Sequence, residues 1–212
     1  MRQIFILFYF LINLPSHAQN DLRKISVSDL PEDIKMIENI STAVRWTDSL
    51  GDNVLITTKK ILKQKEKDIY PDPRNYGERQ KIDFSSKETI PSFTYHFLVV
   101  SNSAILTWKD AGITKLCDEE DANHVKHWFV ITDLDKDAEA EVWLIYRSEC
   151  ISEEGSGSMK IVMCENDVKH IVDGRIKGSL PDPAYFDKNF KTAGNVFRVY
   201  AGQLWKKFVE NY

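Results

Sequence analysis

With 212 residues, 42% of them hydrophobic, the chain is long enough for one substantial core or at most two small ones. Its 28 basic and 32 acidic side chains give a net charge of −4, a poor match for nucleic acid. Three cysteines, an odd count, leave at least one thiol outside any intrachain disulfide.

The first residues read as a targeting segment. Arg2 gives a short positive start, and residues 4–14 (IFILFYFLINL) form an apolar run too short to span a bilayer. Ser16 and Ala18 occupy the small-residue places that a signal peptidase reads, so cleavage is expected after Ala18. No cysteine stands at that junction to carry a lipid anchor. Losing 18 of 212 residues leaves 194, and losing Arg2 without any acid takes the charge from −4 to −5. No later stretch is apolar over a membrane-spanning length. The expected mature chain, residues 19–212, is a single domain exported to the periplasm or the medium.

Residues 29–33 (DLPED) read as a helix start, with Pro31 in the first turn and acids at the positive end of the dipole; the helix is expected over about 32–38. Strand signals then dominate. Residues 43–47 (AVRWT) and 53–58 (NVLITT) flank a short loop containing Gly51, which predicts a hairpin. The basic run 59–67 (KKILKQKEK) reads as a solvated face, and 70–77 (YPDPRNYG) as a loop. Residues 94–100 (TYHFLVV) and 104–109 (AILTWK) predict a second hairpin. Residues 127–132 (HWFVIT) and 141–147 (EVWLIYR) predict a third, and 159–164 (MKIVMC) and 169–173 (KHIVD) a fourth. Successive hairpins with short connections imply an antiparallel meander, a mainly β or α+β fold. After residues 181–183 (PDP) the period changes. Val196, Phe197, Val199, Tyr200, Leu204, Trp205 and Phe208 recur at helical spacing, predicting an amphipathic C-terminal helix over about 192–209 that docks on the sheet.

Between the strands of the third hairpin the chain reads DLDKDAEAE. Asp133, Asp135, Asp137, Glu139 and Glu141 place an acid at every second position. Either a cation or water must offset that charge. Calcium takes six to eight oxygens, mostly carboxylates and carbonyls from a wrapping loop. An EF-hand requires glycine at position 6 and glutamate at position 12, where this chain has Ala138 and Leu144, so that reading fails. Magnesium suits the loop less, because it prefers fewer carboxylates. The loop does resemble the calcium loop of FG-GAP repeats in integrin-type propeller blades. The resemblance implies Ca²⁺ as the cofactor, with Asp133, Asp135, Asp137, the Glu139 carbonyl and Glu141 as ligands, and a fold related to propeller blades. Ala138 departs from the glycine usual at its place, and a left-handed backbone there costs on the order of 1 kcal/mol.

Residues 46–53 (WTDSLGDN), 131–135 (ITDLD) and 201–205 (AGQLW) together resemble an uncharacterised family of exported bacterial proteins, some of which carry a surface-polysaccharide-biosynthesis label. The likeness covers most of the mature chain and brings no catalytic residues with it. The expected function is an exported, non-catalytic binding or structural module of the cell envelope, with an envelope glycan or protein as partner. The alternative is an enzyme acting on surface glycan or peptide.

Other combinations of reactive residues carry less. Cys117, His124 and His127 with the acids around them match no standard zinc spacing. No G-x-S-x-G elbow or phosphate-cradling glycine loop occurs. His96 and His170 fall in predicted strands and read as packed residues. If the third hairpin is centred near Asp137, antiparallel partners sum to about 274, and position 150 stands opposite about 124. Cys117 lies one short loop from there, so Cys117 and Cys150 are the expected disulfide. Cys164, opposite about residue 143, is too far along its strand to join them and is expected to stay reduced.

Overall fold

The computed structural model describes residues 21–59, 61–65, 86–90, 92–111, 124–149, 156–177, 180–181 and 184–210. The predicted signal peptide, the loop at 70–77, and Cys117 and Cys150 lie outside the described residues. Strand β1 (Arg23–Lys24) and a 3₁₀ turn (Val27–Asp29) lead into helix α1 (Glu32–Lys35), with Pro31 at its N-cap. β2 (Ile40–Asp48) and β3 (Gly51–Thr58) follow, then a separate antiparallel pair of β4 (Ile61–Lys65) and β5 (Ser86–Ile90), then β6 (Phe93–Val100) and β7 (Ser103–Ala111). The second half holds β8 (His124–Thr132), β9 (Glu141–Glu149), β10 (Ser156–Glu165), β11 (Val168–Lys177), β12 (Leu180–Pro181) and β13 (Tyr185–Phe186), and ends in α2 (Lys188–Thr192) and α3 (Asn195–Glu210).

Apart from the β4–β5 pair, the described strands form two antiparallel sheets. The first runs β1-β2-β3-β6-β7; the second runs β12-β11-β10-β9-β8, with β13 also on β11. Two-residue turns close the β6–β7 and β10–β11 hairpins. Ser101 and Asn102 have φ of 50° and 71°, and Asn166 and Asp167 have 47° and 60°, the paired left-handed residues of two-residue hairpin turns. Both sequences supply an Asn, which tolerates that region better than most residues.

Side-chain alternation fixes the layers. On β9, Val142, Leu144 and Tyr146 face the first sheet, where they join Val44, Trp46 and Leu55 in one core. Trp143 and Ile145 face the other way, onto α2 and α3. β10 divides the same way, with Val162 and Cys164 inward and Met159, Ile161 and Met163 toward the helices. The outer face of the first sheet is covered in turn by Leu30 and Ile34, which pack on Val54, Ile56 and Phe97. β3, β9 and β10 are thus buried on both faces, which is why they read as continuous apolar runs.

Two boundaries differ from expectation. α1 is shorter than the predicted 32–38. The C-terminal helix begins at Asn195 rather than near 192, because the chain breaks at Ala193 (ψ 161°) between α2 and α3. Asp187 caps α2 by accepting from the Phe190 N–H at 2.8 Å. The apolar spacing of α3 starts at Val196 and Phe197, after this junction, and so does not reveal it. Among the described residues, no helix is long and apolar enough to cross a membrane.

α3 lies against β11 at Gly174, where an added Cβ would meet the Trp205 ring at 3.0 and 3.1 Å. Gly174→Ala should therefore cost about 1–3 kcal/mol through overpacking. Gly202→Ala, with nothing within 4 Å of the new methyl, should instead stabilise α3 by about 1 kcal/mol. Urea midpoints measure both, and shifts of the same sign would contradict this docking of the helix.

Candidate metal centre

The acidic loop joins β8 to β9 at the end of the second sheet. Its backbone turns sharply: Lys136 and Ala138 have φ of 66° and 70°. Ala138 thus adopts the left-handed conformation that glycine would reach at lower cost. Two local bonds hold the turn, Asp137 N–H to Asp135 Oδ1 at 3.3 Å and Glu139 N–H to Asp137 Oδ1 at 2.8 Å.

Glu141 is completely buried at the base of the loop. Its carboxylate accepts from the Leu134 N–H at 2.9 and 3.1 Å and from Thr132 Oγ1 at 2.5 Å. Trp143 Nε1 in turn donates to Thr132 Oγ1 at 2.8 Å. Leu134 packs into the core beneath α3, pinning the loop from that side. The first sheet grips it from the other. Ser49 N–H donates to the Ala138 carbonyl at 2.8 Å, and Ala140 N–H donates to Asp48 Oδ2 at 3.3 Å. Asp48 also accepts from Trp46 Nε1 at 3.1 Å. The loop therefore bridges the β2–β3 turn and the second sheet.

Asp133, Asp135 and Glu141 converge, each offering a carboxylate oxygen within 4.8 Å of the others, so this group can hold a metal ion. Asp137 stands elsewhere. It groups with Asp135 and with Glu165, at the end of β10. Glu139 donates its amide to Asp137, while its Oε2 is buried with no hydrogen-bond partner. Asp133 is only 7% exposed, and its Oδ1 has no partner either; nor does Glu165 Oε1. Among the described residues, no lysine or arginine forms an ion pair with any of these acids.

The contrast with Asp110 is informative. That carboxylate is equally buried, but Lys169 Nζ lies at 3.0 Å and Lys160 Nζ at 3.9 Å. A buried charge is tolerable when paired, and costly when it is not. Asp110 is neutralised from within the fold; the loop acids are not. The electrostatic consequence is visible in the loop. Burial, with neighbouring Asp137 and Asp133, raises the pKa of Asp135, and burial raises that of Glu141 despite its three hydrogen bonds. Burial and the charges of Asp135, Glu141, Asp137 and Glu139 push Glu165 up to about 7.

His96, His170 and Cys164 are packed in the fold, and the side chains of His124 and His127 lie outside the described residues. His96 is stacked between Trp46 and Trp108 with ring centroids 5.3 and 5.2 Å away, and its Nε2 lies 3.0 Å from Asn53 Oδ1. Burial lowers it to about 4, so it is neutral. His170 packs edge-on against Phe190. Cys164 is free and buried, and burial pushes its thiol up to about 12. The sequence matches no protein-family model, and neither the curated proteins nor the solved structures compared with it give a match.

Glu165 makes the metal-free stability pH-dependent. A carboxyl raised from 4.5 to about 7 in the fold contributes stability that is complete below 4.5 and lost as pH rises through 7. In chelator, the denaturant midpoint should therefore fall between pH 5 and 8, and Glu165→Gln should flatten that fall. Parallel pH curves for the two proteins would show that Glu165 does not feel its acidic neighbours.

Proposed function

We propose that the chain is an exported, non-catalytic binding or structural module of the cell envelope, and that its acidic loop is held in shape by Ca²⁺. The observation that carries the reading is Asp133: nine-tenths buried, unpartnered at Oδ1, and converging with Asp135 and Glu141 where, among the described residues, no basic side chain pairs with them. A hard cation with flexible, oxygen-rich coordination suits such a set, and the number of carboxylates favours Ca²⁺ over Mg²⁺. Three of the carboxylates that the FG-GAP resemblance implies, Asp133, Asp135 and Glu141, fall in this group while Asp137 does not, and Ala138 has the left-handed backbone of the motif's usual glycine. Bound there, the ion would fasten the loop that the β2–β3 turn and the second sheet both grip. Its role is that of a staple, which leaves recognition to other surfaces. The exposed apolar side chains of Val100, Ile105 and Leu106 on the β6–β7 hairpin support a protein or glycan partner.

Binding only to the folded state stabilises it by mass action, by about 2.7 kcal/mol at a concentration 100 times Kd. For a chain of this size that corresponds to a rise in Tm of roughly 5–10 °C. Millimolar Ca²⁺ should produce such a rise over chelator in differential scanning calorimetry, and Asp135→Ala should abolish it. Superimposable melting curves in Ca²⁺ and in chelator would leave the acids to water alone.

A further inference from the structure

Part of the first sheet's inner face is left open to solvent. His96 stacks between Trp46 and Trp108, and the three rings mark that face on β2, β6 and β7. Trp46 belongs to the core against β9. Further along β6, Leu98 and Val100 point the same way as His96, and Ile105 of β7 pairs with Leu98 on that side. The row emerges from the core as it nears the hairpin tip. Leu98 is half-buried, whereas Val100 is 56% and Ile105 55% exposed. Leu50, in the β2–β3 turn, is 48% exposed. Asp52 pairs with Val99, which sets that turn beside Val100. The same turn donates Ser49 N–H to the Ala138 carbonyl of the acidic loop. The aliphatic patch and the acidic loop therefore both abut the β2–β3 turn.

Exposed apolar side chains bordered by charge mark a surface that binds a partner. The border decides which partner. Over residues 133–141, five acids stand against Lys136 alone, and Asp135 and Asp137 are exposed. The loop stays negative even with one divalent ion bound. A second copy docking through its own patch would bring acidic loop to acidic loop, because an isologous contact repeats one surface on both sides. An anionic lipid surface favours basic side chains and repels these acids. Neutral sugars stack on flat aromatic rings, whereas Leu50, Val100 and Ile105 are aliphatic. Charge complementarity selects a polypeptide that carries lysine or arginine beside its apolar side chains.

We propose that Leu50, Val100 and Ile105 form a docking surface for a basic, apolar polypeptide segment whose cationic side chains face the acidic loop. This rests on the reading of the chain as a binding module and names the chemistry of its partner. Apolar burial supplies the affinity, and the opposite charges speed encounter and fix orientation.

Fluorescence anisotropy of a labelled peptide of alternating lysine and valine, titrated with the protein in Ca²⁺ and in chelator, tests it. The wild-type protein should bind this peptide, less tightly as salt is added. It should not bind peptides that alternate glutamate with valine or lysine with serine. The double variant Val100→Ser, Ile105→Ser should bind the lysine–valine peptide about tenfold more weakly or worse. Asp137→Asn, which keeps the acceptor for the Glu139 amide, should weaken binding and flatten its salt dependence. Circular dichroism establishes that each variant is folded. Equal affinity for the lysine–serine peptide, or an undiminished double variant, would show that charge alone attracts the peptide and would overturn the docking surface. A wild-type dimer in sedimentation that the double variant loses would put a second copy on the patch instead. Binding to phosphatidylglycerol vesicles that the double variant loses would put a lipid surface there, and either result overturns the proposal. No peptide binding, with the calcium-dependent rise in Tm intact, would overturn this partner and leave the calcium reading standing. Peptide binding without that rise would support the docking surface and remove the calcium staple.

Discussion

The Glu141 carboxylate is fully buried, and the chain arranges its surroundings to keep it there. Thr132 and the Leu134 amide donate to it, Trp143 orients Thr132, and Leu134 anchors the loop in the core under α3. Hydrogen bonds of this kind satisfy a carboxylate's oxygens without supplying a counter-charge. Burial still raises the pKa of Glu141, and Asp133 is buried beside it with one oxygen unpartnered. The charge of these acids, with which no basic side chain among the described residues pairs, thus sits at the junction where Ser49 and Asp48 of the first sheet meet the loop of the second. Whatever offsets that charge also acts on the contact between the sheets.

Much of the fold was legible because strand periodicity and turn chemistry agree. The hairpins around Ser101–Asn102 and Asn166–Asp167 carry the left-handed turn residues that their sequences suggest. β9 and β10 are apolar on both faces because a sheet lies on one side and a helix on the other. The division of the strands into two sheets was not legible, since short connections join strands alike whether the sheet continues or a new one begins. The split between α2 and α3 was hidden for a related reason. Phe197, Leu204, Trp205 and Phe208 keep helical spacing on α3, and nothing in that pattern marks the extended backbone at Ala193.

The site was legible in part. Alternation of acids singled out Asp133, Asp135 and Glu141, which the fold brings together. It also placed Asp137 in the same set, whereas the tight turn at Lys136 and Ala138 carries Asp137 toward β10. Glu165 was missed because the predicted strand ended at Cys164 and left it in the turn, whereas β10 runs on to Glu165. Partners between β9 and β10 were expected to place Cys164 opposite about residue 143, and it stands opposite Val142. A slip of one residue exchanges the two faces of a strand. With the observed register, the glutamate that ends β10 falls beside the glutamate that begins β9, and the acidic loop becomes an acidic cluster.

The central claim is that this cluster is a cation site, and Trp143 provides a direct way to test it. Its indole is linked to Glu141 through Thr132 and is therefore close enough to transfer excitation to a bound lanthanide, which shares calcium's preference for carboxylate oxygens. Terbium added to the protein and excited through tryptophan should emit strongly, Ca²⁺ should compete the emission away, and Asp133→Asn should weaken it. Tryptophan-excited emission no stronger than that of terbium alone, or emission that calcium leaves untouched, would contradict a cation site at the junction of the two sheets.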